Sequence, residues 1–325
     1  MRVTRTLCLL LAGVVACAAP AVAPAQSLGK QPLRIVVALP PGSTSDAVAR
    51  LITESLRASA GQPVLVENRP GASGRIAVEA LKASAADGRT LLLAPVAVPV
   101  IVPLVFKDAG FDPAKDLLPV GQVAKFGYAF AVAPRHPART LAEFIGWAKA
   151  HPAQASFGTP GAGSLPHFLG MMVGKAARTE LVHVPYRSAA QVEVELMSGE
   201  IAAGVSALSD FIPLHRAGKL RILATSGAQR SPLLPAVPTF REQGYPTIDA
   251  TGWLALYAPA GTPPATIDQL SETIVKTLQV PALREKLLSL GVEPTGTTPE
   301  ALAAIMAADT ARWRAIVKAT GFTAE

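Results

Sequence analysis

The chain has 325 residues, of which 50% are hydrophobic and 16% charged, and 30 Lys and Arg against 23 Asp and Glu leave a net charge of +7. That charge is spread thinly, with no basic cluster, which argues against a nucleic-acid partner. Only two cysteines occur, Cys8 and Cys17, so a chain trimmed past both would hold no thiol for disulfides, thiolate catalysis or cysteine metal sites.

The opening stretch "MRVTRTLCLLLAGVVACAAPAVAPA" carries Arg2 and Arg5, then an apolar run too short to span a bilayer comfortably, then small residues ending in Ala23-Pro24-Ala25. Residues 1–25 read as a secretory signal peptide, with Gln26 first in the mature chain. Cleavage before Cys17 with acylation of its thiol is the competing reading. No later segment has an uninterrupted apolar run of membrane-crossing length. The expected product is a soluble exported protein large enough for two domains.

Beyond Gln26, apolar runs of strand length alternate with helix-period stretches. Strands are expected over Leu33 to Leu39, Pro63 to Glu67 and Arg89 to Ala94, each followed by a helix. A second series runs from a strand over Tyr128 to Ala133 through a helix over Leu141 to Ala150, "ASFGT", a helix after Ser164 and "LVHVP". It continues with a helix from Ala189 to Met197, "IAAGVSA" and "LRILATS". "TGWLALYAP" follows from Thr251, and the chain finishes in helices from about Pro264, Pro281 and Thr298. Such alternation predicts α/β units with largely parallel sheets. The stretch 116 to 134 reads as two consecutive strands. With "ATGWLALYAP" it could cross between two units, leaving the first discontinuous and a cleft between facing strand ends.

The first strand-to-helix connection, in "RIVVALPPGSTSDAVARLI" (34 to 52), is short, polar and uncharged up to Asp46. It would aim backbone N–H groups and the hydroxyls of Ser43, Thr44 and Ser45 at one point above a helix start, which suits an anion. Ser45 or Asp46 acting only as the cap of that helix is the plainer alternative. "SFGTPGAGSLPHFLGMM" repeats the design with Thr159, Ser164 and His167. There Ser164 is either a helix cap or part of a second anion seat.

Catalytic signatures are absent from the sequence. There is no G-x-S-x-G elbow, and "GTPGAGSLPH" has Pro166 where a dinucleotide loop needs its last glycine. "GMMVGKA" lacks the spacing and the terminal hydroxyl of a phosphate loop. The five histidines are scattered without metal-ligand spacing, so neither metal nor cofactor is expected.

"PLRIVVALPPGSTSDAVARLI", "VLVENRPGASGRIAVEALKASAADGRTLLL", "FGTPGAGSLPH", "VHVPYRSAAQVEVELMSGEI", "AGKLRILATSGAQRSPLLPAVPTFREQGYP" and "WLALYAPAGTP" occur in this order over nearly the whole mature chain. Together they resemble the tripartite tricarboxylate transporter substrate-binding family, also called Bug receptors. The resemblance implies a two-lobed periplasmic binding protein of Venus-flytrap, type II-like architecture. Each lobe would be a mostly parallel sheet flanked by helices. Lobe 1 is expected over 26–128 and 252–325, and lobe 2 over 129–251.

The same resemblance implies a carboxylate pinched between two loops. The first pincer is Gly42, Ser43, Thr44, Ser45 and Asp46. The second runs from Thr159 through Gly161, Ala162, Gly163 and Ser164 to His167. Val96 and Ala97, and Ser209 with Asp210 heading a lobe-2 helix, are implied wall positions. Asp46 cannot meet a carboxylate directly and is expected to orient the loop amides, while Tyr186 and Arg187 are weighed as a clamp.

The chain departs from the family where Ser43 replaces a usual glycine, where "PVAVPVIVP" lacks polar residues, and where "SALSD" supplies Ser206 and Ser209. Citrate is therefore no better an expectation than a monocarboxylate with an apolar or aromatic body. The reading is a monomeric receptor that hands a small organic carboxylate to membrane transporter subunits. The alternatives are a periplasmic hydrolase or lyase using Ser164 and His167, or a component presenting its ligand to a sensor.

Overall fold

The computed structural model describes residues 32–60 and 63–324. The signal peptide assigned to residues 1–25, its cleavage ahead of Gln26 and the alternative acylation of Cys17 lie outside the described residues.

The first half of the fold alternates strands and helices: β1 (Leu33–Val37), α1 (Thr44–Ala60), β2 (Val64–Asn68), α2 (Arg75–Lys82) and β3 (Thr90–Pro95). A π-helical stretch over Ala97–Ile101 and the short helices α3 (Val102–Val105) and α4 (Pro113–Asp116) lead into β4 (Leu117–Val132). The second half contains α5 (Leu141–Ala150), β5 (Ser156–Thr159), α6 (Leu165–Ala177), β6 (Val182–Pro185), α7 (Ala189–Ser198), β7 (Ala203–Ala207), α8 (Leu208–Arg216) and β8 (Arg221–Thr225). The chain returns through β9 (Thr251–Pro259) to α9 (Pro264–Leu278), α10 (Pro281–Ser289), β10 (Val292–Pro294) and α11 (Pro299–Thr320).

Helix starts follow local chemistry. The Thr140, Ser164, Ser188 and Thr298 side chains each accept the N–H three residues on, capping α5, α6, α7 and α11. In each half three strands are parallel: β1 lies between β2 and β3, and β5 between β6 and β7. Parallel neighbours need crossovers, and the helices between them supply those. The strands joining the halves are antiparallel. β9 lies between β3 and β4, while β4 also pairs with β7, β8 and β10. One mixed sheet results, in the order β2-β1-β3-β9-β4-β7-β5-β6.

Where the sequence suggests two consecutive strands in residues 116–134, the structure has a single strand of 16 residues. Pro119 and Gly121, which interrupt the pattern, are absorbed as register shifts against β9, with another between Gln122 and Ala124. The strand bends there and does not end. Its Tyr128–Ala131 stretch then bonds β7, so the same strand belongs to both halves.

Three segments cross between the halves at one level: β4 near Tyr128, the turn after β8 at Ser226, and the entry to β9 at Ala250. Ser226 ties them together. Its buried hydroxyl accepts the Tyr128 N–H at 2.8 Å and donates to the Ala250 carbonyl at 2.5 Å, while its N–H donates to the Tyr128 carbonyl at 2.9 Å. Beside it Gly252 has no room for a side chain, since a Cβ would sit 2.6 Å from the Tyr128 hydroxyl. The long α11 is held to β9 by Trp253, whose Nε1–H donates to Asp309 at 2.7 Å, and its buried Trp313 lies against Phe168 of α6 with ring centroids 5.9 Å apart.

Replacing Ser226 by Ala leaves the Tyr128 N–H and the Ala250 carbonyl buried without their side-chain partner. Stability should fall by about 1 to 3 kcal/mol. Urea unfolding of wild type, Ser226→Ala and Ser226→Thr measures this, with the Thr variant recovering part of the loss; an unchanged midpoint for Ser226→Ala contradicts it.

Candidate ligand-binding site

The first predicted loop closes β1 onto α1. Gly42 takes a φ of +81°, a left-handed conformation that glycine adopts without strain. The cap is Ser43, which differs from the sequence expectation of Ser45 or Asp46: its hydroxyl accepts the Asp46 N–H at 3.3 Å and donates to the Pro40 carbonyl at 2.7 Å. Helix α1 begins at Thr44, two residues earlier than a cap at Ser45 would place it and three earlier than one at Asp46. Thr44 and Ser45 thus occupy the first helical positions, where N–H groups have no intrahelical acceptor.

Asp46 is buried and holds the loop from behind. Its carboxylate accepts the Gly42 N–H at 3.0 Å, Arg50 Nε at 3.0 Å and Asn68 Nδ2 at 3.0 Å. Burial pushes its pKa up, but the bonds from Arg50, Gly42 and Asn68 outweigh burial and hold it below the usual carboxylate value. Its bond to Gly42 fixes one loop N–H. Ser45 is buried, Val96 is buried with its N–H on the Trp253 carbonyl, and Ala97 is half-buried at the start of the π-helical stretch.

The second loop joins β5 to α6. The Ser164 hydroxyl donates to the Gly161 carbonyl at 2.8 Å and accepts the His167 N–H, while the Gly163 N–H donates to His167 Nδ1 at 3.1 Å. Pro166 in the first turn removes one N–H, so this seat offers fewer donors than the first. Thr159 is fully buried; its hydroxyl donates to the Gly161 carbonyl and therefore accepts from His183 Nε2 at 2.8 Å. Ala162 is exposed at the tip.

The rings of His167 and His183 stack with centroids 3.8 Å apart. Burial lowers the pKa of His167 to about 4, and burial together with His167 lowers that of His183 to about 3, so both rings are neutral at pH 7. The Ser164 proton points at a carbonyl and the imidazole receives a backbone N–H. This is not the nucleophile–base geometry the hydrolase alternative requires.

The structure brings the two halves together at Thr44. Its Oγ1 lies 2.7 Å from Ser209 Oγ and donates to Asp210 Oδ1 at 3.1 Å, both at the start of α8. Asp210 Oδ2 accepts the Ser206 hydroxyl at 2.5 Å. Burial raises the Asp210 pKa by more than the hydrogen bonds from Ser206, Thr44 and the Ala207 N–H lower it. No Lys or Arg side chain is hydrogen-bonded to Thr44, Ser206, Ser209 or Asp210 among the described residues.

The second loop meets the first half elsewhere. Phe322, just past α11, stands edge-on to His167 at 4.8 Å, and a Cβ on Gly163 would approach its ring to 3.3 Å. Among the described residues no hydrogen bond joins the two predicted loops to one another. Tyr186 is half-buried against Gly158, and Arg187 is exposed.

Two neighbours of this junction escaped the sequence reading. Tyr128 on β4 and Glu193 on α7 both lie close enough to Asp210 for its charge to raise their pKa values. Burial and then the charge of Asp210 lift the Glu193 carboxyl to about 7. A signal existed, because Glu193 lies one helical turn before the buried Leu196 and so edges the buried face of α7. Among the described residues no group of three or more His, Cys, Asp or Glu could hold a metal, and no helix is long and apolar enough to cross a membrane.

Residues 48–322 match the model of the tripartite tricarboxylate transporter family receptor. The chain is 33% identical over 324 residues to the protein BugT of Bordetella pertussis, covering 99% of each chain. Among solved structures, it resembles Rpa4515 of R. palustris with adipate, with a TM-score of 0.87, 30% identity and coverage of 91% of this chain and 99% of that one. It also resembles MatC from Rhodopseudomonas palustris with bound malate, with a TM-score of 0.82, 26% identity and coverage of 88% and 99%. Parallel-stranded halves joined by a shared antiparallel strand are thus the architecture of known two-lobed solute-binding proteins, and the chain belongs to the tripartite tricarboxylate transporter receptor family.

Proposed function

We propose that this receptor captures a small organic carboxylate between its two halves in the periplasm and delivers it to tripartite transporter subunits, performing no chemistry on it. The halves that close are taken as residues 26–128 with 252–325, and 129–251. One observation carries the reading: Thr44, at the first turn of α1, meets Ser209 and Asp210, at the first turn of α8, across the gap between the halves. Two helix starts and their hydroxyls therefore converge where the C-terminal ends of β1 and β7 face each other, the place where open α/β sheets hold ligands. The adipate and malate complexes of Rpa4515 and MatC support a carboxylate as the ligand class. The Gly161–Ser164 loop is assigned as the second seat, and Val96 and Ala97 as apolar wall. Small donors and no guanidinium suit a ligand whose body is selected by shape and whose carboxylate is selected by N–H and O–H groups.

A carboxylate that binds only the folded protein should stabilise it by about 2.7 kcal/mol at a hundredfold excess over its Kd. Melting shifts across a set of mono-, di- and tricarboxylates, adipate and malate included, should identify at least one such acid. Mass spectrometry should recover it unchanged. Turnover of the hit would sink the receptor reading.

Breaking the hydroxyl cluster at the junction should weaken that ligand without touching the cap. Thr44→Val is expected to lose about 1 to 3 kcal/mol of binding free energy. Ser43→Ala is expected instead to cost about 1 kcal/mol of fold stability through loss of the cap. Calorimetric titration paired with urea unfolding separates the two effects, and equal affinities for wild type and Thr44→Val would contradict the assignment.

A further inference from the structure

Three hydrogen bonds link Ser206 to Asp210, Asp210 to Thr44, and Thr44 to Ser209. Each hydroxyl has one proton to give. An ionised Asp210 only accepts, so Ser206 and Thr44 must both donate to it. Thr44 then has no proton left, and Ser209 must donate to Thr44. All three hydroxyl protons are consumed inside the cluster, and none is available to an incoming anion.

A neutral Asp210 brings a fourth proton to the same three bonds. Its carboxyl O–H donates to Thr44, Thr44 turns its own proton to Ser209, and the Ser209 proton is released outward. Resting on the proposed carboxylate-receptor reading, we propose that Asp210 is the proton switch of this site: it takes one proton from solvent as a ligand carboxylate binds, reversing the hydroxyl chain so that Ser209 donates to the ligand. One proton enters with each ligand, and no other bond forms or breaks.

The surroundings favour that proton. Burial already holds the Asp210 carboxyl above the usual range, and a ligand carboxylate beside it adds a like charge. Among the described residues no Lys or Arg lowers the Asp210 pKa to offset this. Tyr128 on β4 is a buried phenol kept protonated, and Glu193 on α7 is another carboxyl. On α1, Asp46 is already paired with Arg50. The sign follows from linkage: a site that gains a proton on binding loses affinity as pH rises past the Asp210 pKa, by up to roughly tenfold per pH unit.

The test is calorimetric titration of the acid that gives the largest melting shift in the carboxylate set, in two buffers of unequal ionisation enthalpy, from pH 6 to pH 9. Wild type should take up one proton per ligand at neutral pH and weaken toward pH 9. In Asp210→Asn the amide supplies donor and acceptor in the reversed sense, so uptake should vanish and affinity should stay flat. Should that variant fail to fold, Ser209→Ala tests the same chain, with lowered affinity at pH 6 and wild-type affinity at pH 9. Binding with no proton uptake, or uptake that persists in Asp210→Asn and disappears in Glu193→Gln, overturns the switch and leaves the receptor reading intact. No melting shift with any acid overturns the receptor reading, and the switch falls with it.

Discussion

A single uninterrupted strand, Leu117–Val132, is the constraint on which the rest of the molecule depends. Its first two-thirds bond β9 and its last third bonds β7 and β8, so both halves are built outward from one backbone. A set of mutually parallel strands lies to either side of it, β2-β1-β3 beyond β9 and β7-β5-β6 directly against it, and both carry helix-bearing ends toward a common gap. The loops before α1 and α8 therefore face each other as a consequence of topology. The Ser226 hydroxyl, bonded to Tyr128 and Ala250 where the segments cross, fixes the level at which the halves meet.

The two helix starts that meet there use the same residue type in opposite electrical settings. Asp46 and Asp210 each sit in the first turn of their helix. Asp46 has Arg50, Asn68 and a backbone N–H, and its charge is secure. Asp210 has two hydroxyls and a backbone N–H in a buried place without a cation, so its pKa is displaced upward. Burial is the larger influence in both, and the guanidinium decides the difference. One aspartate stiffens a loop, while the other is left able to change its charge.

Much of this was legible in the sequence because it rests on local chemistry. Ser164 before an apolar helix offers its cap, the helix over Leu141 to Ala150 follows from its spacing, and "TGWLALYAP" reads as a long strand, which the structure buries at every position but the first. The family resemblance named Ser209 and Asp210, yet their bond to Thr44 spans 165 and 166 residues, and no local pattern reports it. Pro119 and Gly121 disguised one bent strand as two, since breakers mark a bulge and a strand end alike. The cap of α1 was misplaced because "STS" offers three adjacent hydroxyls with no way to choose among them. β10, three residues long, falls below any periodic signal. The stacked His167 and His183, and Phe322 against them, come from three distant segments.

The central claim is that a ligand carboxylate is held where the first turns of α1 and α8 converge, by N–H and O–H donors alone. A crystal structure of the complex with the acid that most stabilises the protein measures this directly. The account predicts a carboxylate oxygen within hydrogen-bond distance of Ser209 Oγ and of the Thr44 or Ser45 N–H, with no Lys or Arg side chain in contact. A carboxylate paired with a guanidinium or an ammonium, or bound away from this junction, would contradict it.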